Sequence, residues 1–228
     1  MREATALVIG AGALGNEVLK NLALMGIGRF LIVDFDTIEI GNLSRSPLFR
    51  QADAGQRKAE VAARAVKELN PDVQVKALHA DVNHDLGAGV FRHADVVIGC
   101  LDNREARLSI NRMCYQINHP WIDGAIESLM GIARVFVPGE GACYECMLTE
   151  RDFQIIEMRR SCSMLARENI AQGKVPTTPT AASIVGALQT QEALKLLHHM
   201  AVQPGTNIVV NGLTNENYQS SWRFAKAA

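Results

Sequence analysis

Short apolar runs alternate along this chain with longer segments whose apolar residues recur at helical spacing. Leu7-Val8-Ile9 is a run of the first kind, and the segment from Leu14 to Met25 is of the second kind. A continuous apolar run is typical of a strand buried on both faces, whereas the wider spacing is typical of a helix with one buried side. The start of the chain therefore predicts a buried strand, a tight turn and a helix.

The same alternation continues beyond the first helix. We predict further strands at 29–33, 73–78 and 95–99 and further helices at 56–70, 104–116 and 181–197. Strands that alternate with helices are typical of a doubly wound α/β fold with a parallel sheet.

Two of these helices carry more detailed expectations. In the helix at 56–70, which Pro71 ends, we expect four side chains to face the core: Val61, Ala65, Val66 and Leu69. The helix at 181–197 is the most apolar of the set, but it contains Glu192 and Lys195. We interpret it as a buried or subunit-contact helix rather than a membrane span.

Composition and charge exclude only a few classes of protein. The 228 residues suit one large α/β domain, and a formal net charge of −1 gives no electrostatic reason to expect nucleic acid or a membrane as a partner. The cysteines number five, and the first residues show no signal-peptide pattern. We therefore predict a cytoplasmic protein with free thiols.

The turn after the first strand is a glycine-rich loop, Gly10-Ala11-Gly12-Ala13-Leu14-Gly15. Its first glycine allows a sharp turn, its second lets backbone approach a phosphate, and its third lets the helix pack closely on the strand. The helix that follows offers free N–H groups to an anion. Asp34 ends the second strand, where it can accept hydrogen bonds from ribose hydroxyls.

Two cationic side chains that follow the acid change this interpretation. A dinucleotide oxidoreductase needs the glycine turn and the acid, but its chemistry does not require cations such as Arg45 and Lys58. A nucleoside triphosphate does need such cations, because they neutralise its phosphates and stabilise charge that develops at the α-phosphate. Asp102 follows the strand at 95–99, so we expect it to face the same crevice as Asp34 and to hold Mg²⁺.

The ordered set of motifs resembles the ThiF/MoeB/HesA superfamily, which includes the activating enzymes of ubiquitin-like proteins. The resemblance is carried by residues 7–58, by CLDNREAR from Cys100, by ACYEC from Ala142 and by VPTTPTAASIVGALQTQEALKLL from Val175. It implies an enzyme that adenylates the C-terminal glycine carboxylate of a small β-grasp protein, either ubiquitin-like or a sulfur carrier, and releases pyrophosphate. It also implies a homodimer.

The resemblance implies an organisation and a nucleotide site as well. We expect a single domain, with a nucleotide-binding core at 1–140, a cysteine-containing crossover segment at 141–179 and a helix plus strands at 180–228. The sheet is then Rossmann-like and mostly parallel, with a C-terminal antiparallel extension. The residues assigned to ATP and its magnesium ion are Gly10, Gly12, Gly15, Asp34, Asp36, Asn42, Arg45, Lys58 and Asp102.

The cysteines leave two questions open. Cys143 and Cys146 have the spacing of half a structural zinc site, and a second such pair is not present in this chain. Cys162 lies in the crossover segment between Arg160 and Ser163, where thioester-forming relatives carry their nucleophile, so it is either that nucleophile or a structural or zinc-binding cysteine. We expect Cys100 and Cys114 to be inert core residues.

Other functions remain compatible with the sequence. The alternatives are a tRNA-modifying adenylating enzyme of the same superfamily, a non-catalytic scaffold for a β-grasp partner, and a nicotinamide-dependent oxidoreductase. A near-neutral charge disfavours the first, because RNA-binding proteins usually have a basic face.

Overall fold

The computed structural model describes residues 1–161 and 177–221. Its strands are β1 (Thr5–Ile9), β2 (Arg29–Val33), β3 (Gln74–Leu78), β4 (Val96–Gly99), β5 (Trp121–Glu127), β6 (Met130–Phe136), β7 (Thr206–Asn211) and β8 (Glu216–Ser221). Its helices are α1 (Ala13–Leu24), α2 (Lys58–Leu69), α3 (Ala88–Arg92), α4 (Arg104–Gln116), α5 (Glu150–Ser161) and α6 (Pro179–Leu197). Among them, no helix has the length and apolarity that a membrane crossing requires.

All eight strands form one sheet in the order β3-β2-β1-β4-β5-β6-β7-β8. The first five run parallel, with Ile9 of β1 in register with Val33 of β2 and Gly99 of β4. The chain order therefore reverses between β1 and β4, and in open α/β sheets ligands bind beside such a point at the carboxyl ends of the strands. The last three strands are antiparallel, so the predicted mostly parallel sheet with an antiparallel extension is confirmed.

The sheet is covered on both faces, as its parallel half requires. Along β1, Ala6 and Val8 contribute to the apolar core on one face, whereas Leu7 and Ile9 contribute to the core on the other. Helices α1 and α6 pack together on the first face, where a Cβ at Gly186 would lie 2.7 Å from the Glu17 Cβ. This close approach explains a glycine inside a long helix.

The sequence predicted most of these elements within two residues, but it was wrong about some details. Leu69 is 41% exposed, whereas Ala59 and Ala62 are fully buried, because the inward stripe of α2 is set by its packing on α1 and β3. Within the segment at 141–179, the part that the structure describes contains a short 3₁₀ turn and the helix α5. Helix α6 begins at Pro179, since the Thr178 hydroxyl caps it.

Candidate nucleotide site

The glycine-rich loop joins β1 to α1 at the carboxyl edge of the sheet. Gly10 has φ +97°, and a Cβ there would lie 2.4 Å from the Cys100 carbonyl oxygen. A Cβ at Gly15 would lie 1.9 Å from the Gly10 carbonyl oxygen. A Cβ at Gly12, in contrast, would meet nothing within 4 Å. Two glycines thus permit the loop's own packing, while the backbone at Gly12, the N-cap of α1, is open to a ligand.

Asp34 follows β2 and is tied directly to this loop. Its carboxylate accepts the Ala11 N–H at 2.7 Å and the Asp36 N–H at 2.8 Å. Burial raises the pKa of Asp34, although the two amide hydrogen bonds and the nearby Lys58 ammonium act in the opposite direction. Each carboxylate oxygen keeps a lone pair for a further donor, such as a ribose hydroxyl.

Lys58 is the first residue of α2, and its backbone N–H donates to the Asp36 carbonyl at 3.0 Å. Its ammonium pairs with the Asp36 carboxylate at 2.7 Å, and its side chain is only 12% exposed. An ammonium has three N–H donors, so this contact leaves donors for phosphate oxygens. The structure therefore brings Asp34, Asp36 and Lys58 together beside the glycine loop.

Asn42 and Arg45 lie on the segment between β2 and α2. Asn42 closes a 3₁₀ turn, because its side-chain oxygen accepts the Glu39 N–H at 3.0 Å. Arg45 donates from its guanidinium to the Gly41 carbonyl at 2.8 Å, and it forms no ion pair with the side chains that the structure describes. The guanidinium keeps most of its donors for an anion. The amide nitrogen of Asn42 is the part of that side chain left for a ligand.

Asn16 is a site residue that the sequence interpretation missed. It is fully buried in α1, and its amide donates to the carbonyls of Ala11 at 2.7 Å and Gly12 at 3.0 Å. Its side-chain oxygen accepts the Leu48 N–H at 2.9 Å. One side chain therefore fixes the glycine loop to the segment that carries Arg45. No sequence signal singles it out, since Glu17, Lys20 and Asn21 are further polar residues of the same helix.

We expect Asn16→Ala to lower the free energy of unfolding by about 2 to 3 kcal/mol, because three backbone groups lose their partner. Asn70 is a matched control, since its half-buried amide donates to one carbonyl, that of Ala23, at 3.0 Å. Urea unfolding of both alanine variants measures the difference. Equal losses would show that Asn16 has no special role in holding the two segments.

Asp102 lies on the loop between β4 and α4. Its carboxylate is exposed, and its one described contact is a weak one, 3.4 Å from the Asn103 amide nitrogen. Because β2, β1 and β4 are adjacent and parallel, Asp34 and Asp102 lie at the same edge of the sheet. A single exposed carboxylate suits Mg²⁺, which takes its other ligands from phosphate oxygens and water. Within the described residues no cluster of three metal-binding side chains occurs.

Cys143 and Cys146 lie on the turn before α5, with their Sγ atoms 3.2 Å apart. The turn is anchored on α4, because the Asn111 side chain accepts the Tyr144 N–H at 3.1 Å. Zinc prefers four ligands, and the described residues supply only these two thiols here. The residues described do not by themselves fit a zinc ion. Cys162, the predicted nucleophile, lies outside the described residues.

Two further cysteines are core residues. Cys100 and Cys114 are both buried, and burial raises the pKa of each thiol, so both stay protonated near neutral pH. A thiol is a poor nucleophile and a poor metal ligand compared with a thiolate. The expectation that both lie in the core is confirmed.

A buried ion cluster lies next to the Asp102 loop, and the sequence interpretation did not find it. Asp123 of β5 is fully buried between Arg107 of α4, at 2.9 Å, and Arg134 of β6, at 3.1 Å. Burial alone would lower the pKa of Arg107, but the Asp123 charge leaves it raised. No single motif contains these residues, which lie on three different elements.

Comparison with known proteins shows the family to which this chain is related. The ThiF family matches residues 1–228. The SUMO-activating enzyme subunit 2 of Dictyostelium discoideum is 37% identical over 160 residues, which cover 69% of this chain and 24% of that protein. The molybdopterin-synthase adenylyltransferase of Salmonella typhimurium is 31% identical over 212 residues, which cover 92% of this chain and 79% of that protein.

Solved structures show the same fold. The crystal structure of E. coli MccB with ATP aligns with a TM-score of 0.79 and 23% identity, covering 99% of this chain and 65% of that chain. E. coli MccB with succinimide aligns with a TM-score of 0.80, covering 96% of this chain and 64% of that chain. The chain thus spans about a quarter of the SUMO-activating relative and about two thirds of MccB.

Proposed function

Because the chain belongs to the ThiF family, we propose that it is an ATP-dependent adenylyltransferase that activates the C-terminal glycine carboxylate of a small β-grasp protein. The observation that carries this proposal is the open backbone at Gly12, flanked by Asp34 and Lys58. The names of the curated relatives support the substrate class, since they act on SUMO or in molybdopterin synthesis.

In the proposed reaction the partner's carboxylate oxygen attacks the α-phosphorus of ATP. A new oxygen–phosphorus bond forms, the bond to the β-phosphate oxygen breaks, and pyrophosphate leaves with its electron pair. A carboxylate is already ionised near neutral pH, so the enzyme needs no general base. Its task is to align two anions and to offset their repulsion.

The residues divide this task between them. The glycine loop and the N-terminus of α1 bind phosphate through backbone N–H groups, and Asp34 binds the ribose. Arg45 and Lys58 neutralise the phosphates as charge shifts towards pyrophosphate. Asp36 holds the Lys58 ammonium in place, and the Asn42 amide nitrogen adds a neutral donor. A bound Mg²⁺ would supply further charge neutralisation, and Asp102 is the residue that would hold it.

The test is ATP–pyrophosphate exchange with a β-grasp partner that ends in glycine. The proposal requires exchange that depends on this partner, and it requires loss of exchange when the same partner carries a C-terminal amide. Exchange without any partner, or exchange that persists with the amide, would contradict it. Tight binding of NADH in place of ATP would instead favour an oxidoreductase.

The fate of the acyl adenylate depends on Cys162, which we propose as a nucleophile on sequence context alone. Its thiolate would attack the acyl carbon, form a thioester and release AMP. We expect a reductant-sensitive conjugate with the partner that Cys162→Ala abolishes while exchange persists. A conjugate that survives in this variant would exclude Cys162, and no conjugate in the wild type would favour a sulfur-carrier adenylyltransferase.

We further propose a homodimer, as the family resemblance implies, and sedimentation velocity tests it. The Cys143–Cys146 pair would need two more ligands to hold zinc. Metal analysis of the purified chain, with the double serine variant as its control, decides whether zinc is bound.

A further inference from the structure

The buried ion cluster contains one more cation than its acid requires. Asp123 has no exposed surface, and its two carboxylate oxygens face Arg107 and Arg134 separately. Buried ion clusters lose much of their Coulombic energy to desolvation, so they are weak evidence for stability. One arginine already balances the charge of the Asp123 carboxylate. The second arginine is therefore available for a separate role.

The two arginines differ in what else they contact. Arg107 also donates to the carbonyl of Leu101 and, at 3.1 Å, to that of Gly124. Both arginines contact Tyr144: Arg107 forms a side-chain hydrogen bond with it, whereas Arg134 lies 5.7 Å from its ring centroid and 6.0 Å from that of Phe136. Only Arg107, among the residues that the structure describes, links the cluster to the loop after β4.

That loop is short and carries Asp102 near its middle. At one end the Cys100 N–H donates to the Ile9 carbonyl at 2.8 Å, and at the other the Asn103 side chain caps α4 through the Ala106 N–H at 2.8 Å. The Leu101 carbonyl, which belongs to the peptide bond that leads into Asp102, is held by Arg107. The planar guanidinium suits this task because its donors have a fixed geometry.

We propose that Arg107, held by Asp123, is a positioning residue that fixes the backbone at Leu101 and thereby aims the Asp102 carboxylate at the metal. This inference rests on the proposed function, in which Asp102 holds Mg²⁺. Arg134 balances the second oxygen of Asp123 and takes no part in positioning. Partners that orient a metal ligand typically affect metal affinity by about 10- to 100-fold.

The test compares Arg107→Lys with Arg134→Lys. Both substitutions keep the positive charge but remove the planar guanidinium with its several donors, and the two positions are similarly buried. Mn²⁺ affinity is measured by electron paramagnetic resonance with a non-hydrolysable ATP analogue bound. Hydrogen exchange of the amides of residues 100–103 is measured without metal. We expect Arg107→Lys to weaken Mn²⁺ binding about tenfold and to speed exchange in the loop, while Arg134→Lys changes neither.

Asp102→Asn separates this inference from the proposed function. Mn²⁺ binding that weakens in Asp102→Asn but not in Arg107→Lys would overturn the positioning role and leave the proposed function standing. Mn²⁺ binding that is unchanged in Asp102→Asn would remove Asp102 from the metal site, and the positioning role with it. If Arg107→Lys does not fold, Arg107→Gln serves the same comparison, because its shorter amide cannot span the three acceptors.

Discussion

Lys58→Ala is expected to lower the rate of partner-dependent ATP–pyrophosphate exchange by about 100-fold, the effect of removing one preorganised charge from a transition state. The side chain is 12% exposed and pairs with Asp36. Its charge also acts on Asp34, which accepts the Ala11 N–H of the glycine loop, where the phosphates are placed in our proposal. Its loss leaves the neighbouring carboxylates of Asp34 and Asp36 without this ammonium. The triphosphate then approaches a site of net negative charge.

The preceding residue supplies the matched control for this variant. Arg57 is 54% exposed, and its side chain pairs with Glu60 one turn along α2. Arg57→Ala removes the same charge and should leave exchange within about twofold of the wild type, since exposed ion pairs contribute little. Equal loss in both variants would indicate a general electrostatic effect, and no loss in Lys58→Ala would remove Lys58 from the site.

Two glycine substitutions are expected to impair different properties of the protein, one ATP binding and the other stability. Gly12→Ala should fold normally, because the added Cβ meets no atom within 4 Å and the backbone there is extended with φ −76°. It should nevertheless weaken ATP binding about tenfold, the equivalent of one hydrogen bond to a charged group. Gly15→Ala should lower the free energy of unfolding by at least about 2 kcal/mol, since its Cβ would overlap the Gly10 carbonyl.

Urea unfolding and calorimetric ATP titration of both variants separate the two effects. Gly12→Ala should match the wild type in the first measurement and fall below it in the second. Gly87→Ala is a suitable control, because Gly87 is the exposed N-cap of α3 and a Cβ there also meets nothing within 4 Å. ATP binding by Gly12→Ala that equals the wild type would show that phosphate does not approach the backbone at this glycine.

Most of the parallel half of the fold could be predicted from local pattern. The apolar runs that became β1 and β2 are buried in the sheet, so their hydrophobicity and their position agree. The inward stripe of α2 could not be fixed in this way, because neighbouring alanines and leucines satisfy the same periodicity. Packing against α1 selected the alanines at 59 and 62, and Leu69 remained exposed.

The residues of the site, like the elements of the fold, could be predicted from the sequence only in part. Asp34, Arg45, Lys58 and Asp102 are found in short motifs, so their residue types and spacing already indicated a triphosphate. Asn16 and Asp123 act through contacts with residues that are distant in sequence, such as Leu48 for the former and Arg107 for the latter. A single sequence carries no signal for such pairings, because they depend on how the helices are placed on the sheet.

If the partner's terminal carboxylate is adenylated, the intact mass of the partner rises accordingly. After incubation with the enzyme and ATP and quenching in acid, we expect a fraction of the partner to be heavier by one adenylate at its C-terminal glycine. Lys58→Ala should form this species far more slowly, whereas Arg57→Ala should form it at the normal rate. ATP consumption without any adenylated partner would show that this chain does not adenylate the partner.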